Sequence, residues 1–287
     1  MHSSSNLSIE YGCPCLANFF LSSRAKSDGV EGSLHFIEHE EIPPLVANLL
    51  GRDDRFSNMD KPLPIVISLG GSLVVPPTGI DTDFLHAFRK IILQEIKGGK
   101  RFILIVGGGT TARVYMHAAK EVAPLQPVDM DWLGIHATRI NGHLLRTVFR
   151  AVAHEVMIKD PRRRAPWTES VLVAAGWKPG RSTDDIAVRL AHLYGAEMIV
   201  NLTNIERVYD KDPAKYLDAV PFDRIAWSDF RKIVGKKWSP GSNAPFDPIA
   251  STLAARWKMK VVIAKGTDLA NLKKILDNKP FIGTTIE

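Results

Sequence analysis

With 287 residues, 45% of them hydrophobic, the chain is long enough for one large α/β domain or two modest ones, and disorder of the whole chain is excluded. Thirty-seven lysines and arginines face 31 acidic residues, a net charge of +6. The basic residues are dispersed, the longest cluster being Arg162-Arg163-Arg164, and no nucleic-acid motif accompanies them; the modest positive balance fits small anionic substrates equally well.

No apolar run approaches the roughly 18 residues needed to span a bilayer. Both cysteines, Cys13 and Cys15, fall outside the periodic region, and Cys-Pro-Cys lacks the second ligand pair of a zinc site. A reduced, cytoplasmic setting is expected. Residues 1–58 differ from the rest. Ser3-Ser4-Ser5-Asn6 is polar, Leu16 to Leu21 is briefly apolar, and Ile42 to Leu50 suits one short helix before Arg52-Asp53-Asp54-Arg55. Without a basic n-region or a small-residue cleavage site it does not read as a targeting peptide. Met59 stands directly before the first convincing strand, so residues 1–58 are expected to be a disordered extension or to lie upstream of the native start.

Pro64 to Leu69 is an apolar run too short for a typical helix, and it stops on Gly70-Gly71-Ser72. It reads as a buried strand feeding a turn in which glycines let the backbone approach an anion and Ser72 adds a hydroxyl. Asp81 or Thr82 then caps a helix with Phe84, Phe88, Ile91, Ile92 and Ile96 on one face, and Gly98-Gly99 ends it. Arg101 to Val106 repeats the strand and runs into Gly107-Gly108-Gly109, which opens a helix carrying Val114, Tyr115 and Ala118. Two such turns on parallel strands would set two anion cradles at one edge of a sheet, as suits a phosphate donor and a phosphate acceptor; two ordinary βα turns fit the glycines equally well.

Asp131 starts a long helix with Leu133, Ala137, Ile140, Leu144 and Val148 on one face. Val171 to Gly176 is another buried strand, and Thr183 or Asp184 caps a helix bearing Ile186, Leu190 and Leu193 that Gly195 closes. Met198 to Leu202 is a strand followed by a polar loop, Thr203 to Pro213. A short helix spans Ser228 to Val234, and Gly235 to Ala244 is a loop. Asp247-Pro248 caps a helix through Ile249, Leu253 and Trp257. Val261 to Ala264, Leu269 to Leu276 and Gly283 to Ile286 read as strand, helix and strand. The alternation gives an α/β fold, a mostly parallel central sheet with helices on both faces.

Neither G-x-x-x-x-G-K-[ST] nor G-x-G-x-x-G is present. Gly70-Gly71-Ser72, the triple glycine with Ala112-Arg113, Asp131-x-x-Gly134-x-x-Ala137-Thr138-x-x-Asn141-Gly142, Ser182-Thr183-Asp184, Leu202-Thr203-Asn204-x-x-x-Val208-Tyr209-x-x-Asp212-Pro213, Asp247-Pro248-x-Ala250 and Gly283 to Glu287 stand in one order. Together they resemble the amino acid kinase family, and within it the archaeal-type uridylate kinases, over about 59–287. The resemblance implies the three-layer carbamate kinase-like fold, with a phosphate-acceptor lobe over about 59–180 and an ATP lobe over 181–287. It implies ATP-dependent phosphorylation of UMP to UDP in pyrimidine nucleotide synthesis, with Mg2+ as cofactor, no nucleic-acid or membrane partner, and a hexamer.

By the same resemblance Gly107 and Gly108 line the acceptor nucleotide, Arg113 holds the UMP phosphate, Asp131 accepts from the ribose, and Thr138 and Asn141 face the same cleft. Arg113 alone would pass for a surface arginine, and Asp131 for a helix cap. Gly70, Gly71 and Ser72 cradle the ATP phosphates, while Thr203, Asn204, Tyr209 and Asp212 frame the adenosine. Thr183 and Asp184 sit by the reacting groups, unless they only cap. The chain departs from the pattern in two places. Ser68 replaces a lysine found in many members, and Glu206-Arg207 replaces Asp-Gly in the donor loop. A compensating cation is therefore needed, with Arg181 the first candidate ahead of Lys236 and Lys237.

Two other readings share the scaffold. One is a kinase for another acceptor, such as a carbamate, an amino acid or isopentenyl phosphate. The other is a nucleotide-binding storage or sensor protein that has lost turnover. Arg113 with Asp131 favours a nucleotide acceptor over the first; Ser68 and Arg207 keep the second open.

Overall fold

The computed structural model describes residues 61–235 and 244–287, all within one compact unit, Asp53–Glu287. The expectations for residues 1–58, the start at Met59 and the two lysines Lys236 and Lys237 lie outside the described residues. Among the described residues no helix is long and apolar enough to cross a membrane.

The apolar runs form the strands β1 (Ile65–Leu69), β2 (Phe102–Val106), β3 (Val171–Ala174), β4 (Met198–Thr203) and β8 (Lys260–Lys265). They pair in parallel in the order β3-β2-β1-β4-β8, with Ile67 opposite Leu104 on one side and Val200 on the other. β9 (Thr284–Ile286) runs antiparallel to β8, and β7 (Arg224–Ile225) completes the edge. β5 (Val208–Tyr209) and β6 (Pro221–Phe222) form a separate hairpin. The three two-residue strands were not predicted, since two residues carry no periodicity to read.

Because side chains alternate across each strand, the sheet has two apolar faces and both are covered. Val66, Ile103, Ile199 and Val261 pack with α5 (Thr183–Tyr194), α6 (Trp227–Val234) and α7 (Pro248–Arg256). Ile67, Leu104, Val200 and Val262 pack with α2 (Thr82–Lys97), α4 (Pro127–Val148) and α8 (Leu269–Leu276). This is the three-layer arrangement expected. Asp81 caps α2 as predicted, accepting from Phe84 N at 2.8 Å. Gly195 closes α5 in the left-handed region.

Three helix readings are corrected. α4 begins at Pro127 rather than Asp131, capped by Gln126 with Asp129 completing a capping box. Its buried face is centred on Ile135, Thr138, Asn141 and Leu145, and Ile140 is exposed, because the helix also packs against the glycine turn after β2 and not only on the sheet. The cap of α5 is Ser182, whose Oγ accepts from Asp185 N at 3.1 Å, rather than Thr183 or Asp184.

The chain order of the strands reverses between β1 and β4, so the two sheet halves diverge there and leave a crevice beyond their carboxyl ends. Both glycine turns lie at that edge. Gly70 leads into α1 (Gly71–Val74), and Gly108 leads into α3 (Gly109–Val122). The turns pack backbone against backbone: a Cβ on Gly71 would sit 2.1 Å from Gly109 N and 2.6 Å from the Gly107 carbonyl carbon. Gly109 takes φ +58°, whereas Gly71 is not among the glycines with positive φ. Close approach, not a positive φ, is therefore what demands glycine at 71. Gly71→Ala must push the turns apart, costing about 2 kcal/mol or more. A thermal melt should show a midpoint lowered by roughly 5 °C or more, while Gly98→Ala, whose added carbon meets only the Glu95 carbonyl at 3.2 Å, should lose less.

Candidate active site

A cleft of about 320 Å3 opens beyond the carboxyl ends of β2 and β3. Its walls bring together Gly107, Gly108 and Arg113 from the second glycine turn and α3, Asp131 and Thr138 from α4, and Arg181, Thr183 and Asp184 at the start of α5. Eight residues read from widely separated motifs thus share one wall system.

Seven of them are held by hydrogen bonds. Arg113 Nη2 donates to Thr110 Oγ1 at 2.8 Å, and the side chain is otherwise exposed. Asp131 is not a cap. It stands in the second turn of α4, and its Oδ2 accepts from Gly180 N at 2.7 Å, leaving Oδ1 for another donor. Thr138 Oγ1 donates to Ile135 O at 2.7 Å and accepts from Gly176 N at 2.8 Å. That hydroxyl is used internally, binding the end of β3 to α4.

Asn141 does not line the cleft. Its Nδ2 donates to Gly107 O at 2.9 Å and to Gly108 O at 3.0 Å. Holding these two carbonyls behind the cleft fixes the turn, whose amides are tied as well: Gly107 N donates to Leu69 O at 2.9 Å and Thr110 N to Val75 O at 3.0 Å. On the first turn, Gly70 N is committed to Leu202 O at 2.8 Å. Gly70, Gly71, Ser72, Thr203, Asn204, Tyr209 and Asp212 lie outside this cleft, strung along the turn after β1 and the loop after β4. Asp212 Oδ1 accepts from Ala214 N at 3.0 Å, so it also closes a local turn.

The start of α5 concentrates charge. Asp185, fully buried, receives Arg189 Nε at 2.7 Å and Nη2 at 3.2 Å; Arg181 Nη1 reaches it only at 3.4 Å. Arg189 satisfies the carboxylate, so Arg181 is loosely held at the cleft wall. Asp184 turns inward. Its Oδ2 accepts from Asp247 N at 3.1 Å and its Oδ1 from Ser68 Oγ at 3.4 Å. Burial, joined by the charges of Asp247 and Asp185, pushes its carboxyl up to about 7, against the smaller opposing effect of those two hydrogen bonds. Asp247 also lines the cleft. Its Oδ1 caps α7, accepting from Ala250 N at 2.8 Å, while its Oδ2 is buried with no hydrogen-bond partner among the described residues. Burial raises its pKa as well.

Sequence reasoning treated Asp247 only as a cap and did not single out Asp185, Met116, Ile135 or Gly176. The spacing Ser182-x-x-Asp185 was the available signal that Ser182 caps the helix and frees Asp184. Arg207 is paired with Asp223 and lies outside the cleft.

The pattern of the amino acid kinase family matches residues 64–265. A uridylate kinase of Thermoplasma volcanium is 34% identical over 226 residues, 78% of this chain and 97% of that one. One from Methanocaldococcus jannaschii is 34% identical over 232 residues, 78% of this chain and 99% of its own length. The crystal structure of uridylate kinase from Archaeoglobus fulgidus superposes with a TM-score of 0.67 at 29% identity, covering 78% of this chain and all of that one. An aspartate kinase from Synechocystis shares the fold, with a TM-score of 0.59 at 18% identity over 77% of this chain and 39% of its own.

The carboxyl of Asp184 yields a stability test. The unfolded chain ionises it near 3.8 and the folded one near 7, so the folded protein is disfavoured increasingly as pH rises between those values. Without divalent cations, Asp184→Asn should melt higher than the parent above pH 7, by at most about 4 kcal/mol of stability. The difference should vanish below about pH 4. A pH-independent difference would contradict the shift.

Proposed function

Because this chain belongs to the amino acid kinase family, we propose that it is a nucleoside monophosphate kinase that transfers the γ-phosphoryl group of ATP to UMP. The convergence of Arg113, Asp131 and Arg181 on one cleft beside the Gly107-Gly108-Gly109 turn carries this reading, with full-length likeness to uridylate kinases behind it. A guanidinium fork suits phosphate, and a carboxylate with one free oxygen suits a ribose hydroxyl.

In this assignment 59–180 is the acceptor lobe and 181–287 the ATP lobe. Arg113 binds the UMP phosphate, and Gly107 and Gly108 line the acceptor nucleotide. Asp131 Oδ1 accepts from the ribose. Thr138 shapes the acceptor wall through Gly176, and Asn141 acts one step back, by orienting the glycine turn. Gly70, Gly71 and Ser72 border the donor phosphates; Thr203, Asn204, Tyr209 and Asp212 frame the adenosine.

Phosphoryl transfer needs alignment and charge neutralisation rather than a covalent intermediate. Thr183, at the amino end of α5, presents its hydroxyl where the helix dipole favours anions. Arg181 supplies the cation for the transferring group in place of the lysine absent at Ser68, and its loose tie to Asp185 lets it turn into the cleft. The orphaned Asp247 Oδ2 and the Asp184 carboxyl, which has no cationic partner among the described residues, fit a hard cation. They are the residues that would hold Mg2+, whose charge, when bound, neutralises donor phosphates. An exposed apolar row on α3 and α4, including Tyr115, Val122, Trp132 and Ile140, offers a subunit contact for the implied hexamer. The protein works in the cytoplasm in this reading.

A coupled assay with ATP and Mg2+ tests it, offering UMP, CMP, carbamate, glutamate and isopentenyl phosphate in turn. UMP-dependent ADP release is the expected result. Turnover of another acceptor, or nucleotide binding without turnover, overturns it. Arg113→Ala should raise KM for UMP by roughly tenfold or more, the loss of one charge-assisted contact. Arg181→Ala should lower kcat by roughly 100-fold at unchanged KM for UMP; an unchanged kcat removes Arg181 from the mechanism.

A further inference from the structure

The strand β3 ends at Ala174, and the chain then leaves the sheet in a curl. In a pleated strand successive carbonyls point to opposite edges. Here the carbonyls of two consecutive residues turn to one side chain: Arg139 Nε donates to Gly176 O at 3.1 Å, and Arg139 Nη2 donates to Trp177 O at 3.1 Å. Two carbonyl dipoles converging on one point repel unless a cation stands there, and the planar guanidinium carries its donors in a fixed fork that meets both. Arg139 is half-buried and does not line the cleft.

Arg139 lies on α4 about two helical turns beyond Asp131. In chain order α4 therefore fastens the loop from Gly176 to Gly180 at four points. Thr138 Oγ1 takes Gly176 N at 2.8 Å, Arg139 takes the Gly176 and Trp177 carbonyls, and Asp131 Oδ2 takes Gly180 N at 2.7 Å. Glycine is required at both ends. A Cβ on Gly176 would lie 2.6 Å from Thr138 Oγ1 and 3.0 Å from Ile135 Cα, and Gly180 takes φ +76°, the left-handed region. The outer fasteners, Thr138 and Asp131, line the cleft, whereas the one between them acts from outside it.

We propose, on the reading of this cleft as the UMP site, that Arg139 is a positioning residue of the acceptor side. By holding the Gly176 and Trp177 carbonyls it keeps Gly180 N on Asp131, which fixes the rotamer of the Asp131 carboxylate and the point from which Arg181 enters the cleft. Without it the loop lifts from α4 and Asp131 is free to turn, while the donor side, built on the turn after β1 and the loop after β4, is untouched.

The experiment compares the full-length parent with Arg139→Met, which keeps the apolar stem and removes the donors, and Arg139→Lys, which restores one charged donor. Residue-resolved amide hydrogen exchange reads the loop without turnover. The Gly180 amide should exchange about tenfold or more faster in Arg139→Met, with Arg139→Lys intermediate and the β3 amides unchanged. In the UMP assay, KM for UMP should rise about tenfold in Arg139→Met and less in Arg139→Lys, while KM for ATP changes by less than about twofold. Unchanged exchange at Gly180, an unchanged KM for UMP in a parent that turns over UMP, or an equal rise in both KM values overturns the proposal. If the parent turns over another acceptor or none, the reading of the cleft fails instead, and Arg139 is judged by exchange alone. Should Arg139→Met not fold, Arg139→Lys decides by the same measurements.

Discussion

The contact of Gly71 with Gly107 and Gly109 brings two strand-to-helix turns within backbone distance at the reversal of strand order. No side chain larger than hydrogen fits at 71, because a Cβ there would overlap the amide nitrogen of Gly109. The same contact carries the hydrogen bonds that lock the turns, Gly107 N to Leu69 O at 2.9 Å and Thr110 N to Val75 O at 3.0 Å. The cleft wall formed by Gly107, Gly108 and Arg113 is placed relative to it. Asn141 reads the turn from behind through two carbonyls, and Arg113 leaves α3 one turn beyond it.

Around this frame the charges are arranged asymmetrically. Asp185 is neutralised in the core by Arg189, so a buried carboxylate there is compatible with folding. Asp184, its neighbour, has among the described residues only a serine hydroxyl and a backbone amide as partners. Where a lysine at position 68 would have answered it, Ser68 donates a single long hydrogen bond. The consequence is a carboxyl that titrates near neutrality and an adjacent Asp247 oxygen with no hydrogen-bond partner among the described residues. Both are destabilising in the free protein and suited to a charged reaction centre, the familiar exchange of stability for function.

Much of the fold was legible in the sequence because burial leaves a strong periodic mark. The five parallel strands are apolar on both faces and bounded by glycine or polar residues, and Asp81, Gly195 and Asp247-Pro248 punctuate helices through local hydrogen bonds that need no tertiary partner. The misread features share one cause. The face of α4 was assigned from hydrophobicity alone, but its most buried positions include Thr138 and Asn141, polar groups whose burial is possible only because the glycine turn and Gly176 satisfy them. The unpredicted strand β7 likewise owes its geometry to β9, a partner far along the chain.

The residue order by itself determined the class of fold, the location of the two glycine turns and the set of motifs that marks the family, because these rest on short-range periodicity and backbone sterics. Only the tertiary structure decided which of those residues meet. It set Arg113, Asp131, Arg181 and Asp184 around one cleft, withdrew Asn141 and the Thr138 hydroxyl into supporting hydrogen bonds, and turned Arg207 to Asp223, outside that cleft. The physical reason is that a side chain's neighbours, and hence its free hydrogen-bonding capacity and its charge, are fixed by segments distant in the chain.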